Sequence, residues 1–161
     1  MGFSLFGSAA RREPPAVAET LCTGIISTTP LYTFDGALPA ASIVPGDRVI
    51  SRTSGTAIVR DVVVREVTGL LVRMAPDTLG RARPEGFTLL APDQRLFLRK
   101  ATGAPVDGLY AARDLVDGDT VKWHEPKRPV RMIQLEFDDA LILYAGGLEV
   151  EVATGPQRTA L

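Results

Sequence analysis

The sequence predicts an all-β domain, and three observations carry that expectation. Between its ends the chain divides into short runs of β-branched, aromatic and aliphatic residues, each stopped by Gly, Pro, Asp or Ser. Residues 57–67 hold Ile58, Val59, Val62, Val63, Val64 and Val67, whose stiff side chains disfavour helix and suit a pleated surface. Finally, one ten-residue segment occurs twice. Residues 40–49, beginning Ala40-Ala41-Ser42-Ile43-Val44, return 72 positions later as residues 112–121, beginning Ala112-Arg113-Asp114-Leu115-Val116. Five positions are identical: Ala40/Ala112, Val44/Val116, Gly46/Gly118, Asp47/Asp119 and Val49/Val121. Each copy reads as an apolar turn, a Gly-Asp bend and a strand. Two copies at this spacing are too few and too far apart for a solenoid. They fit one domain of two similar halves, or a coincidence between two ordinary bends.

The elements follow in order. Leu31-Tyr32-Thr33-Phe34 is a strand that runs into Asp35-Gly36, a hairpin signal. Residues 48–52 form the next strand, between Gly46-Asp47 and Ser54-Gly55, and 57–67 read as one long β run. Strands are then expected at 70–74, 87–90, 96–98, 120–123, 130–137, 140–144 and 148–152. Met132, Gln134 and Glu136 alternate with Ile133, Leu135 and Phe137, the pattern of a half-exposed strand. Only 37–44 and 111–116 suit a helical turn, and they contain the repeat. Residues 1–19 read as a flexible leader, 20–153 as the domain and 154–161 as a flexible tail.

Composition narrows the chemistry. With 161 residues, 18 basic and 19 acidic side chains and a net charge of −1, the chain has one domain's length and no charge excess that would favour nucleic acid or a membrane surface. No run approaches the roughly 18 apolar residues of a membrane span. Met1-Gly2 and Arg11-Arg12 suggest acylation and twin-arginine signals, but Phe6 and Glu13-Pro14-Pro15 do not fit them, so a cytoplasmic location is expected. One cysteine and one histidine cannot build the usual Cys/His zinc site or a histidine acid/base pair. No metal and no cofactor is expected.

Four blocks in order resemble the Hint (hedgehog/intein) domain, in its bacterial subgroup. Residues 28–52, with Tyr32-Thr33-Phe34-Asp35-Gly36 and Ile43-Val44-Pro45-Gly46-Asp47-Arg48-Val49, are similar to the opening block. Residues 71–98, with Leu89-Leu90-Ala91-Pro92-Asp93-Gln94, are similar to the next. Residues 110–121 resemble the third, and 130–151, ending Leu143-Tyr144-Ala145-Gly146-Gly147-Leu148-Glu149, the last. The resemblance implies an all-β horseshoe of two pseudo-symmetric halves. It also implies self-directed acyl transfer, in which a Cys, Ser or Thr at the first residue attacks its own preceding carbonyl and a His protonates the departing amine.

Position by position, the catalytic parts differ. Where the family has a Ser/Thr and a His three residues later, this chain has Ala91 and Gln94. A Gln amide fills similar hydrogen-bonding space but is no general acid near neutral pH. Gln134 and Ala140 stand where the last block usually has His, and Glu151-Val152 where an intein has its terminal His-Asn. Counting back from Asp35-Gly36, the nucleophile position falls on Gly24, and a two-residue loop insertion would place Cys22 there. Cys22 is therefore the candidate nucleophile, or else a small apolar residue at a strand entrance.

The remaining polar residues carry two readings each. His124, beside Glu125, is a loop histidine in solvent or a relocated acid. Asp47 and Asp119 bond backbone amides in their bends, or form a carboxylate pair. Arg81, Arg83, Arg95, Arg99 and Lys100 form a solvated basic face or an anion or acidic-partner site. The sequence thus leads to a Hint-like domain inactive in splicing and autoprocessing, acting as a binding or structural module with a protein or peptide partner. The alternatives are an active domain making an N–S acyl shift at Cys22, and a plain all-β ligand-binding domain.

Overall fold

Strands account for most of the regular structure in the computed structural model, which describes residues 24–152; the rest is three short 3₁₀ turns. The first half supplies β1 (Ile25–Ile26), β2 (Pro30–Thr33), β3 (Gly36–Pro39), β4 (Arg48–Ser51), β5 (Gly55–Ile58), β6 (Asp61–Val67) and β7 (Leu71–Met74). The second supplies β8 (Thr88–Leu90), β9 (Arg95–Leu98), β10 (Gly108–Ala111), β11 (Val121–His124), β12 (Val130–Glu136), β13 (Leu141–Ala145) and β14 (Leu148–Val152). The all-β expectation is correct, and each β run read from the sequence contains a strand. Three strands lie outside those runs: β1, β3 and β10. Gly36-Ala37-Leu38-Pro39 has poor strand composition but is templated by the β2–β3 hairpin, with Leu31 opposite Leu38 and Thr33 opposite Gly36.

Two antiparallel sheets result. One runs β11-β7-β8-β1-β12-β6; the other runs β10-β9-β14-β13-β2-β4-β5, with β3 paired to β2. The run 57–67 is not one strand, because the chain changes sheets within it. Val59 leaves β5 and exchanges backbone bonds with the first bend, donating to Asp47 O at 2.9 Å and accepting from Gly46 N at 2.8 Å. Arg60 N–H then bonds Glu136 O at 2.8 Å, which starts β6 along β12. Such a corner lets a long β-branched segment serve both layers.

Both repeat copies fold alike locally. Each runs from a strand (β3 or β10) through a 3₁₀ turn (Ala40–Ser42 or Ala112–Leu115) and a glycine bend to a strand (β4 or β11). Gly46 and Gly118 hold φ of 97° and 78°, a conformation that strains other residues. Ala40, Ala112, Val49 and Val121 are all buried. The copies then part company, since β4 joins the eight-stranded sheet and β11 the six-stranded one.

One apolar cluster spans both sheets, joining Val72, Leu90 and Ile133 to Leu31, Val49, Leu143 and Val150. A smaller cluster of Val67, Leu71, Ala91 and Met132 lies apart from it. Strand β12 contributes to both, so Met132 through Phe137 are all buried and the expected half-exposed strand is instead covered on both faces. Its polar residues at alternate positions are interior residues.

Candidate functional site

The turn Ala91-Pro92-Asp93-Gln94 joins β8 to β9. Gln94 N–H bonds Ala91 O at 3.0 Å, closing the turn, and the Gln94 side chain is only 1% exposed. Its amide oxygen accepts from Gly24 N–H at 2.7 Å. Its amide nitrogen donates to Arg95 O and Glu151 O, each at 2.9 Å. Ala91 N–H meanwhile bonds Gly24 O at 3.1 Å, so the same turn holds both polar groups of the Gly24 backbone. The second repeat copy braces it from outside. Ala112 N–H bonds Gln94 O at 2.8 Å, Arg113 N–H bonds Pro92 O at 2.9 Å, and the Arg113 guanidinium lies 2.8 Å from Asp93.

This junction ties the start of β1 to the end of β14. The recess inside it has about 10 Å³ of free volume and is lined by Gly24, Ile25, Ile133, Leu135, Leu143, Val150 and Val152, with Gln94 as the polar side chain. A water there would find few partners. A neutral amide with both its donors and an acceptor lone pair engaged can orient a backbone but has no proton to transfer near neutral pH.

The other predicted positions lie elsewhere. Gln134 falls between Ile133 and Leu135 on β12, so strand alternation turns its side chain away from the recess that those two line with Gln94. It is 1% exposed, and neither its amide oxygen nor its nitrogen has a hydrogen-bond partner. Ala91 belongs to the small apolar cluster with Met132, and Ala140 is exposed in the β12–β13 connection. Neighbouring Asp138 takes two bonds from Arg60, which hold its carboxyl below the usual range. Cys22 lies outside the described residues, two positions before Gly24.

Two minor expectations need correction. His124 is not in a turn but ends β11, opposite Leu71. In the bends, Asp47 Oδ2 does accept from Val44 N–H at 3.0 Å, but in the second copy Asp117 takes that role. Asp117 accepts from Asp119 N–H at 2.8 Å, Val121 N–H at 2.9 Å and the Thr120 hydroxyl at 2.9 Å, which lowers its pKa to about 2. Among the described residues, no group of three His, Cys, Asp or Glu could hold a metal ion, and no helix is long and apolar enough to cross a membrane.

The basic residues at 81–100 are not a uniform solvated face. Arg95 forms a two-pronged pair with Glu151, at 2.7 Å for both contacts. Arg52, Arg99 and Arg83 converge on Glu149 at 2.8, 3.3 and 3.9 Å. Glu149 is a buried acid that composition does not reveal. Its signal is the strict alternation Leu148-Glu149-Val150-Glu151-Val152, which puts both glutamates on the face opposite the core.

Solved structures share this architecture. An intein-like domain from Clostridium thermocellum aligns with a TM-score of 0.59 at 18% identity, over 81% of this chain and 98% of that one. A DnaB intein from Synechocystis sp. PCC 6803 aligns at 0.52 and 14%, over 81% and 99%. The gp41-1 intein aligns at 0.54 and 12%, over 80% and 97%. At these identities the likeness concerns the fold, and it bears out the expected Hint-like all-β architecture. No curated protein matches the chain. The sequence model of the Hint domain family, however, matches residues 24–155, the four blocks and the Gln94 junction included, and the chain is a member of that family.

Proposed function

We infer that this protein is a Hint domain that keeps the scaffold without self-splicing or autoprocessing and serves as a binding or structural module. The observation that carries this reading is the state of Gln94. It stands at the acid position of the family motif, buried, with three hydrogen bonds spent on Gly24, Arg95 and Glu151. An amide nitrogen leaves only when a positioned acid protonates it, and Gln94 has no such proton. Gln134 and Ala140 replace the other histidines, and neither lines the recess beside Gln94. What remains is a tie that fastens the entry of the domain to its last described strand.

A second reading, an N–S acyl shift at Cys22, has one observation in its favour. Gly24, two residues on, is gripped at both its N–H and its C=O. The intact mass of full-length protein tagged at both ends, incubated for days with and without dithiothreitol, separates the two. An unchanged mass is expected. Thiol-dependent release of the segment ending at Leu21, abolished in Cys22→Ala, would overturn the inactive reading.

A further inference from the structure

The outward face of the eight-stranded sheet carries charge that the total conceals. The whole chain is at −1. Around Glu149, however, stand Arg52, Arg83 and Arg99, and Arg81 joins Arg83 and Glu149 in lining an adjacent groove of about 470 Å³. Four guanidiniums face Glu149 and the nearby Glu85, whose carboxylate is engaged by the Tyr32 hydroxyl. With Asp77 also there, its carboxylate against Ala82 N–H, that leaves a local excess of one positive charge.

These cations differ in how committed they are. Arg52 and Arg99 are fixed on both sides: each reaches Glu149, and each lies over the Phe97 ring, at 4.3 and 5.7 Å from its centre. Arg83 stands 3.9 Å from Glu149, beyond hydrogen-bond distance, so its fork of donors is unspent. Arg81 has no hydrogen bond or ion pair from its side chain among the described residues. Both ride on a segment that is tightly pinned. Leu79 N–H bonds Arg83 O at 2.7 Å, Ala82 N–H bonds Asp77 Oδ1 at 2.7 Å, and Glu85 N–H bonds Gly146 O at 2.9 Å. Ala82, between the two arginines, is held at a φ of 57°, which an alanine rarely adopts unless its surroundings impose it. The unpaired fork of Arg81 and the loosely paired fork of Arg83, on a rigid support, are poised for planar anions.

We propose that this groove binds an acidic peptide segment, with carboxylates seated on Arg81 and Arg83 and the peptide's apolar portions lying on Tyr32, Ile50 and Tyr144. The size of the charge excess favours a peptide over a nucleic acid. Arg81 and the loosely paired Arg83 suit one or two carboxylates, whereas a phosphate backbone draws its affinity from about six to ten contacts. The site goes beyond the inactive-scaffold reading, shares no residue with the Gln94 junction, and stands whether or not Cys22 reacts.

Fluorescence anisotropy of labelled hexaglutamate titrated with the full-length protein tests this, with hexaglutamine and a single-stranded oligothymidylate as comparators. Hexaglutamate should bind, more weakly at high salt, and Arg81→Gln with Arg83→Gln should weaken it roughly ten- to a hundredfold. Both side chains are exposed and make no hydrogen bonds, and Glu149 keeps its closer pairs with Arg52 and Arg99 when Arg83 is lost, so the thermal midpoint of that double variant should stay close to the parent's. The proposal is overturned if the parent ignores hexaglutamate, if the double variant binds it equally, or if oligothymidylate binds more tightly than the peptide.

Discussion

Two buried glutamines with nearly identical exposure occupy opposite energetic positions. Gln94 spends its amide on three backbone groups, so truncating it leaves the Gly24 N–H and the Glu151 carbonyl without that partner in an apolar recess. Gln94→Ala should lower unfolding free energy by about 2–4 kcal/mol, combining lost bonds with a cavity. Gln134 has no partner for either amide atom, and that desolvation is unrewarded. Gln134→Met, of similar length, should be neutral or stabilising by up to about 1–3 kcal/mol. Urea denaturation of both variants checks the contrast. Equal losses would mean that burial rather than bonding decides what each glutamine contributes.

At the scale of elements, the two copies of the repeat show how one bend is built with different side chains. The first closes through Asp47, whereas the second relies on Asp117, at the position where the first has Pro45. Three donors stabilise the Asp117 carboxylate and pull its pKa from 3.8 to about 2. A lowered folded-state pKa adds stability that is complete above the unfolded value and is lost as pH falls through the folded one. The second bend should therefore hold down to about pH 4 and weaken between there and pH 2. Asp117→Asn should make the acid limb of a plot of thermal midpoint against pH shallower, leaving the share that comes from Asp138, while Asp119→Asn keeps the full slope. An unchanged slope in Asp117→Asn would refute this assignment. The repeat was legible as a pattern of glycines and apolar residues, since the bend geometry requires them. Which carboxylate closes each bend was not, because Asp117 and Asp119 are both within reach of the turn in one dimension. For the same reason residues 57–67 read as one strand. Val59 and Arg60 carry no breaker, and only their bonds to Gly46, Asp47 and Glu136 turn the chain.

For the whole molecule, alternation revealed the strands but not which faces are covered. Met132-Ile133-Gln134-Leu135-Glu136 reads as half polar, and burial of both faces follows only from β12 lying between β1 and β6 with apolar clusters on its two sides. The Ala91-Pro92-Asp93-Gln94 block could be read directly, because a motif compares residues one by one. The bonds of Gln94 to Gly24 and Glu151 could not, since they cross 70 and 57 positions. Contacts of that kind also decide how the molecule unfolds. The larger cluster draws side chains from both sheets, so if the eight-stranded sheet is lost the other keeps only the four-residue cluster around Met132. Unfolding should therefore be a single transition. The aromatic residues make this measurable: Trp123, the chain's one tryptophan, lies in β11 of the six-stranded sheet, whereas Tyr32, Tyr110 and Tyr144 lie in β2, β10 and β13 of the eight-stranded one. Tryptophan fluorescence and tyrosine near-ultraviolet dichroism, followed through one urea titration, should give coincident midpoints. Tyrosine signals lost before the tryptophan shift would show that the sheets part while one is still folded, and that the shared core does not couple them.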